Sequence, residues 1–181
     1  MPIAPPLLPE TLSAGAVRLR PLTAADGPAL MHQLGTPGIA RWLAAIRAPF
    51  TEADARELLD YAADPAQNVR ALEAGGALIG CLSLGATLWY WLDTPYQGQG
   101  HMSRALRHLL PLYFRTPAPD LIASCREDNT NSAALLRRLG FVPAPDTRRR
   151  FFHAEACSHP CREYRMSRAR WLALDVPPPS A

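Results

Sequence analysis

Three short stretches of this 181-residue chain gather side chains and backbone that can do chemistry. The first is Gln97-Gly98-Gln99-Gly100-His101-Met102-Ser103, a glycine-containing loop that runs straight into a helix-forming segment. Gly98 and Gly100 let successive backbone N–H groups turn one way. The first turn of the helix adds donors without intrahelical partners, together with the positive end of its dipole. Such a corner suits a phosphate or pyrophosphate. Two better-known phosphate loops are excluded. The nucleotide-triphosphate loop needs a lysine, and all 19 basic residues are arginines; the dinucleotide fingerprint needs a third glycine where Ser103 stands. A plain strand-to-helix turn with glycines at strained positions is the competing explanation for two glycines alone.

The second stretch, Asn129-Thr130-Asn131-Ser132, opens a helix that Gly140 closes. The third packs His153, Cys157, His159 and Cys161 into one short loop between two predicted strands. Structural zinc usually takes a CxxC-type pair with a second, distant pair, so these four read as a surface loop with incidental cysteines, and no metal is expected. Arg148, Arg149 and Arg150 beside Phe151 and Phe152 could contact RNA, but adjacent charges more often decorate the exposed side of a strand.

The elements that must position these stretches follow from pattern. Residues 17–22 alternate apolar and polar as a first strand, and Thr23 caps a helix through about Leu34. A short helix over 39–46 follows, then one capped by Thr51 with Glu52 and Asp54 in its first turn. Three antiparallel strands are expected over 68–73, 77–84 and 86–92, since their separators are too short for a crossover. A helix over 101–114, a strand over 121–125, a helix over 129–139 and strands over 148–153 and 162–167 complete the domain. The uncharged run 74–92 is long enough for a membrane span, but Gly75, Gly76, Gly80 and Gly85 divide it into two strands. The fold class is α/β of the α+β kind: a mixed, mostly antiparallel sheet of about seven strands flanked by helices. One domain covers 15–173, between proline-rich tails at 1–14 and 174–181.

Composition narrows the function classes. A net charge of +3 with arginines dispersed from Arg18 to Arg170 argues against a dedicated nucleic-acid binder. The N-terminus lacks a basic region ahead of an apolar run and is interrupted by prolines, so it is no signal peptide. A cytoplasmic protein with reduced thiols is expected.

Gln97-Gly98-Gln99-Gly100-His101-Met102 resembles the acetyl-CoA loop of the GNAT family of N-acetyltransferases, with Met102 replacing a small residue. Asn129 and Ser132 followed by Leu139-Gly140-Phe141 resemble the family's next helix, at a spacing that leaves room for one helix and one strand. Tyr90-Trp91-Leu92-Asp93 and the segment from Tyr164 to Trp171 look like the branch that acetylates ribosomal-protein N-termini. The resemblance spans about residues 17–171.

It implies that backbone amides from Gln97 through Ser103 hold the pyrophosphate of acetyl-CoA, with the Ser103 hydroxyl as a further donor. Tyr90, Trp91 and Leu92 would offer a strand edge to the pantetheine arm, Asn129 would hydrogen-bond it, and Arg104 or Arg137 would meet the 3′-phosphate. Ser132 matches the position of the donor to the departing sulfur; its alternative is a first-turn serine serving local backbone. Relatives often carry a Glu in the fourth strand, where Thr87 stands, leaving Asp93, Glu155, Glu163, His101 and His153 as candidate bases. Trp42 and Phe50 are the candidate walls of the acceptor pocket. The implied partners are acetyl-CoA and an amine acceptor, a protein N-terminus first and a small molecule second. A homodimer and a catalytically silent acyl-CoA-binding module stay open as alternatives.

Overall fold

The structure, a computed structural model, describes residues 4–174. Its order is β1 (Leu12–Ala14), β2 (Val17–Arg20), α1 (Gly27–Leu34), α2 (Pro37–Ala40), α3 (Glu52–Ala63), β3 (Val69–Ala74), β4 (Ala77–Leu84) and β5 (Leu88–Leu92), followed by α4 (His101–Phe114), β6 (Leu121–Arg126), α5 (Thr130–Arg138), β7 (Val142–Phe152), β8 (Cys157–Met166) and α6 (Arg168–Ala173). The eight strands form one sheet in the order β1-β2-β3-β4-β5-β6-β8-β7.

Every neighbouring pair is antiparallel except β5 and β6, which are parallel and meet at the single register pair Leu88↔Ala123. Beyond that point β5 keeps β4 on its other side, through Tyr90↔Leu82, Trp91↔Cys81 and Leu92↔Gly80. The two parallel strands therefore splay, and a slot opens between them. β4 and β5 run especially close at Gly80, where a Cβ would sit 2.3 Å from the Trp91 carbonyl oxygen.

Each face of the sheet buries its own core. On one face α4 presents Met102, Ala105, Leu106, Leu109 and Leu110 at helical spacing, and packs with α5 residues Ala133 and Leu136 over Leu19, Leu82, Leu88 and Leu121. That burial outweighs the interior Pro111, which would otherwise cost a helix about 3 kcal/mol. On the other face Leu30 and Leu34 of α1 and Ala55 of α3 cover Val69, Ala71, Cys81 and Trp91. The Thr51 cap expected at the head of α3 is present and is a full capping box: Asp54 Oδ2 accepts from Thr51 N–H at 2.8 Å.

Several expectations need correction. Among the described residues there are eight strands, because Leu12–Ala14 pairs with β2. Leu8 is buried and donates its N–H to Asn68 Oδ1 at 3.0 Å, while the Arg70 guanidinium holds the carbonyls of Leu8 and Pro9. Much of the proline-rich stretch expected as an N-terminal tail is thus docked on the sheet, as its carbonyls satisfy a buried arginine. The C-terminal prolines lie outside the described residues. β7 begins at Val142 rather than 148, tolerating Pro143 and Pro145 because it is an edge strand with a register shift between Pro143 and Thr147. β8 begins at Cys157, not 162, and α6 is an unexpected helix, capped by Ser167. The helix expected over 39–46 shrinks to α2. Ala86 and Thr87 belong to the β4–β5 turn, so Thr87 is not in a strand. No helix among the described residues is long and apolar enough to cross a membrane, and 74–92 forms strands as expected.

Candidate functional site

The slot is flanked by β5, β6, the loop before α4 and the first turn of α5. Asp93 begins the loop by accepting Thr94 N–H at 2.8 Å. Gln97 and Gln99 then fold their side chains back onto it, Nε2 donating to Leu92 O at 2.9 Å and to Pro95 O at 2.7 Å. Gly98 and Gly100 have φ of +75° and +79°, a region that strains residues carrying a Cβ. Gly100 is the N-cap of α4 and no side chain caps that end. The amides of His101, Met102 and Ser103 therefore lead the helix without a side-chain acceptor. A Cβ on either glycine would meet nothing within 4 Å, so no neighbouring atom fills the space beside them.

The expected amide cradle is one residue shorter than the sequence suggested. Gln97 N–H is already used, donating to Thr94 O at 3.2 Å. Met102 points into the core, which explains why a long side chain is tolerated there. His101 Nε2 lies 3.2 Å from Gln99 Oε1, and its buried Nδ1 has no protein partner. Arg104, on the first turn of α4, is exposed with its side chain lying against Gly15 of the β1–β2 turn, whereas Arg137 stacks over the Tyr164 ring at 5.7 Å.

Across the slot, Asn129 caps α5, its Oδ1 accepting Ser132 N–H at 3.1 Å. Only the Asn129 amide NH₂ is left for a ligand. The cap fixes Ser132 so that its Oγ lies 2.7 Å from the Tyr90 hydroxyl. Sequence reading placed Tyr90 for its backbone, and missed this side-chain partnership, because the two residues are 42 positions apart. Burial pushes the Tyr90 phenol well above its ordinary value, with the Ser132 hydrogen bond pulling the other way. Cys125, on β6 beside Ser132, is likewise pushed up by burial. Both groups carry their protons at neutral pH, so the cluster is a store of hydrogen-bond donors.

The other mouth of the slot is organised by Arg126, whose side chain is only 3% exposed. It binds both oxygens of Asp128 at 2.9 and 2.7 Å, donates to Arg41 O at 3.1 Å and pairs with Glu155. Its guanidinium also lies 5.0 Å from the Trp42 ring and 5.4 Å from Phe152. A cavity of about 260 Å³ opens nearby, lined by Gly38, Ala40, Arg41, Ala154 and Glu155. Phe50 packs instead against the core under α3.

The candidate bases separate by position. Burial works to raise the Glu155 carboxyl, but Arg126 outweighs it and holds the group below its ordinary range. Glu163 is exposed and borders a different cavity, with Asp120 and Val142. Asp93 is occupied as a loop cap. His153 stacks edge-on against Phe151 at 5.2 Å and donates its backbone N–H to Ala44 O at 3.2 Å.

A mixed sheet split between two parallel strands, with an uncapped glycine loop at its mouth, is the acyl-CoA N-acyltransferase fold. Residues 16–142 match the family model described as an acetyltransferase (GNAT) domain, and the chain belongs to that family. Among curated proteins it is similar to the ribosomal-protein-serine acetyltransferase of Escherichia coli K12, 38% identical over 58 residues; that match covers 32% of each chain. Among solved structures it is similar to RimL, a ribosomal L7/L12 α-N-protein acetyltransferase, in complex with coenzyme A held as a disulfide to a cysteine. The TM-score is 0.74 at 22% identity, covering 87% of this chain and 97% of that one. A microcin C7 self-immunity acetyltransferase with acetyl-CoA and AMP bound gives a TM-score of 0.73 at 18% identity, covering 88% and 97%. At those identities the likeness is one of fold.

Proposed function

We propose that the protein transfers an acetyl group from acetyl-CoA to a primary amine, with a protein or peptide N-terminus as the first-choice acceptor. The observation that carries this is the hydroxyl pair, Ser132 Oγ and Tyr90 OH at 2.7 Å, set in the slot beyond an uncapped amide cradle. The pyrophosphate sits on the amides from Gly98 through Ser103, with Arg104 as the partner of the 3′-phosphate. The pantetheine arm lies along the free edge of Tyr90, Trp91 and Leu92 and meets the amide of Asn129.

The neutral amine attacks the thioester carbonyl carbon, and its surplus proton leaves to water. As the C–S bond breaks, Ser132, backed by Tyr90, supplies a proton or a strong hydrogen bond to the departing sulfur. Glu155 is too acidic and too tightly paired to act as a strong base, so the amine must arrive uncharged. The E. coli and RimL relatives, by name, support an N-terminal acceptor. A small-molecule amine is the second reading, favoured by the compact cavity beside Arg41 and Glu155. RimL holds its coenzyme through a cysteine; Cys125, next to Ser132, is the thiol placed for such an adduct here. With its four cysteines unpaired, the protein fits a reducing cytoplasm.

The test is release of free CoA from acetyl-CoA in the presence of a peptide pool with varied N-termini and a set of small amines. Turnover with N-terminal peptides supports the first reading, and turnover with small amines alone supports the second. Tight CoA binding without turnover on any amine would overturn both and leave a silent acyl-CoA-binding module.

A further inference from the structure

The β7–β8 hairpin carries a cluster in which Cys157 and His159, which acetyl transfer does not use, meet Glu155 from the edge of the Arg126 mouth. A carboxylate oxygen of Glu155, the Cys157 sulfur and an imidazole nitrogen of His159 all lie within 4.8 Å of one another. His159 Nε2 is 2.7 Å from Glu155 Oε2 and 3.0 Å from Cys157 Sγ. We propose that these three side chains form a binding site for a zinc-class divalent cation, with a fourth position open to solvent.

The geometry separates a metal site from a nucleophile. A thiol–imidazole–carboxylate relay uses both ring nitrogens, one facing the thiol and the other the acid. Here thiol and carboxylate converge on the same nitrogen. A neutral ring nitrogen offers one proton or one lone pair and can at best split it between the two, whereas a cation between the three atoms gives each donor a bond of its own. Tetrahedral zinc, with bonds of about 2.3 Å to sulfur and about 2.0–2.2 Å to nitrogen and oxygen, spaces its ligands roughly 3.5 Å apart. The cluster must open by under about 1 Å to admit it. Cys157 is exposed.

Supporting contacts hold the ligands in place. The Phe152 ring packs edge-on to His159 at 5.4 Å, and Ala156, at φ +50°, turns the chain so that Glu155 faces the strand it precedes. Arg126 competes for Glu155, but keeps both oxygens of Asp128 when Glu155 rotates to the metal. Thiolate with imidazole and carboxylate selects zinc over magnesium or calcium, which take oxygen ligands. Binding expels the Cys157 thiol proton to solvent. The ligand set differs from the four residues that spacing suggested. Cys161 is buried with its sulfur 3.7 Å from His159 O, His153 packs on Phe151, and Glu155 takes their place. The site stands whether or not the acetyl-transfer reading does.

The test is titration of chelator-stripped, reduced protein with Zn²⁺ against a chromophoric competitor, and with Co²⁺ followed by absorbance. One Zn²⁺ per chain is expected, with a Co²⁺–thiolate charge-transfer band. Cys157→Ser and His159→Ala should each weaken binding by about 100-fold or more, and Glu155→Gln by about tenfold, while Cys161→Ser leaves it unchanged. Circular dichroism of each variant verifies that it is folded. Absence of stoichiometric binding to the wild type would overturn the proposal, as would binding that survives both Cys157→Ser and His159→Ala. Loss of binding in Cys161→Ser equal to that in Cys157→Ser would overturn this ligand set.

Discussion

The two mouths of the slot are held by different physics. The cofactor mouth rests on packing: Met102, Ala105, Leu106 and Leu109 bury one face of α4 and fix its uncapped first turn against the sheet. The opposite mouth rests on charge: Arg126 joins β6, the loop after α2 and the β7–β8 hairpin through Asp128, Arg41 and Glu155, with the Arg41–Glu155 pair at 3.7 Å beside it. Packing of that density allows one arrangement, whereas ion pairs with part-exposed carboxylates can be redrawn at small cost. Under the proposed function, one mouth can stay constant for a constant cofactor, while the other is the place where acceptor choice can change.

The sharpest way to break this contrast is Gly100→Val. A β-branched residue at φ +79° is strained, and its side chain enters the cradle. CoA affinity should fall by about 100-fold or more in a direct titration, with the hairpin untouched. Unchanged affinity would separate the cofactor from the loop. Next, Ser132→Ala should lower kcat by about 10²–10³-fold with little change in acetyl-CoA KM, and Tyr90→Phe by about tenfold. A loss confined to KM would make Ser132 a binding residue instead.

Arg126→Ala addresses the other mouth. It should raise acceptor KM while leaving CoA affinity alone, and cost about 1–3 kcal/mol in denaturant unfolding, since its carboxylate partners keep access to water. Equal loss of CoA affinity would join the two mouths into one unit. The smallest effect concerns pH. The Thr51 hydroxyl, the Thr51 amide and Arg47 hold the Asp54 carboxyl at about 2, down from an ordinary 3.8. Its folded form loses the proton more readily than its unfolded form, so its contribution is complete above about pH 4 and fades as pH falls toward 2. Unfolding midpoints measured across that range should drop, and Asp54→Ala, costing about 1 kcal/mol at neutral pH, should flatten part of the drop.

What could be read from sequence follows the same division. The α4 loop, the α5 cap and most strands of the central sheet are local patterns of glycines, caps and alternation, and they lie close to where those patterns put them. The β7–β8 hairpin was misjudged because Pro143 and Pro145 look like breakers, and only the edge position of β7 makes them harmless. β1 was missed because three residues carry no periodicity, and its dock depends on Asn68 and Arg70, far along the chain. The Arg126 junction had no signal at all. Asp128 is two residues away, but Arg41 and Glu155 stand 85 and 29 residues from Arg126, and only folding brings them together.

The most direct measurement of the central claim is a structure of the protein with coenzyme A. The pyrophosphate should lie on the amides from Gly98 to Ser103, with the sulfur within hydrogen-bond reach of Ser132 Oγ. A pyrophosphate bound elsewhere, or a sulfur directed away from Ser132 and Tyr90, would contradict that claim.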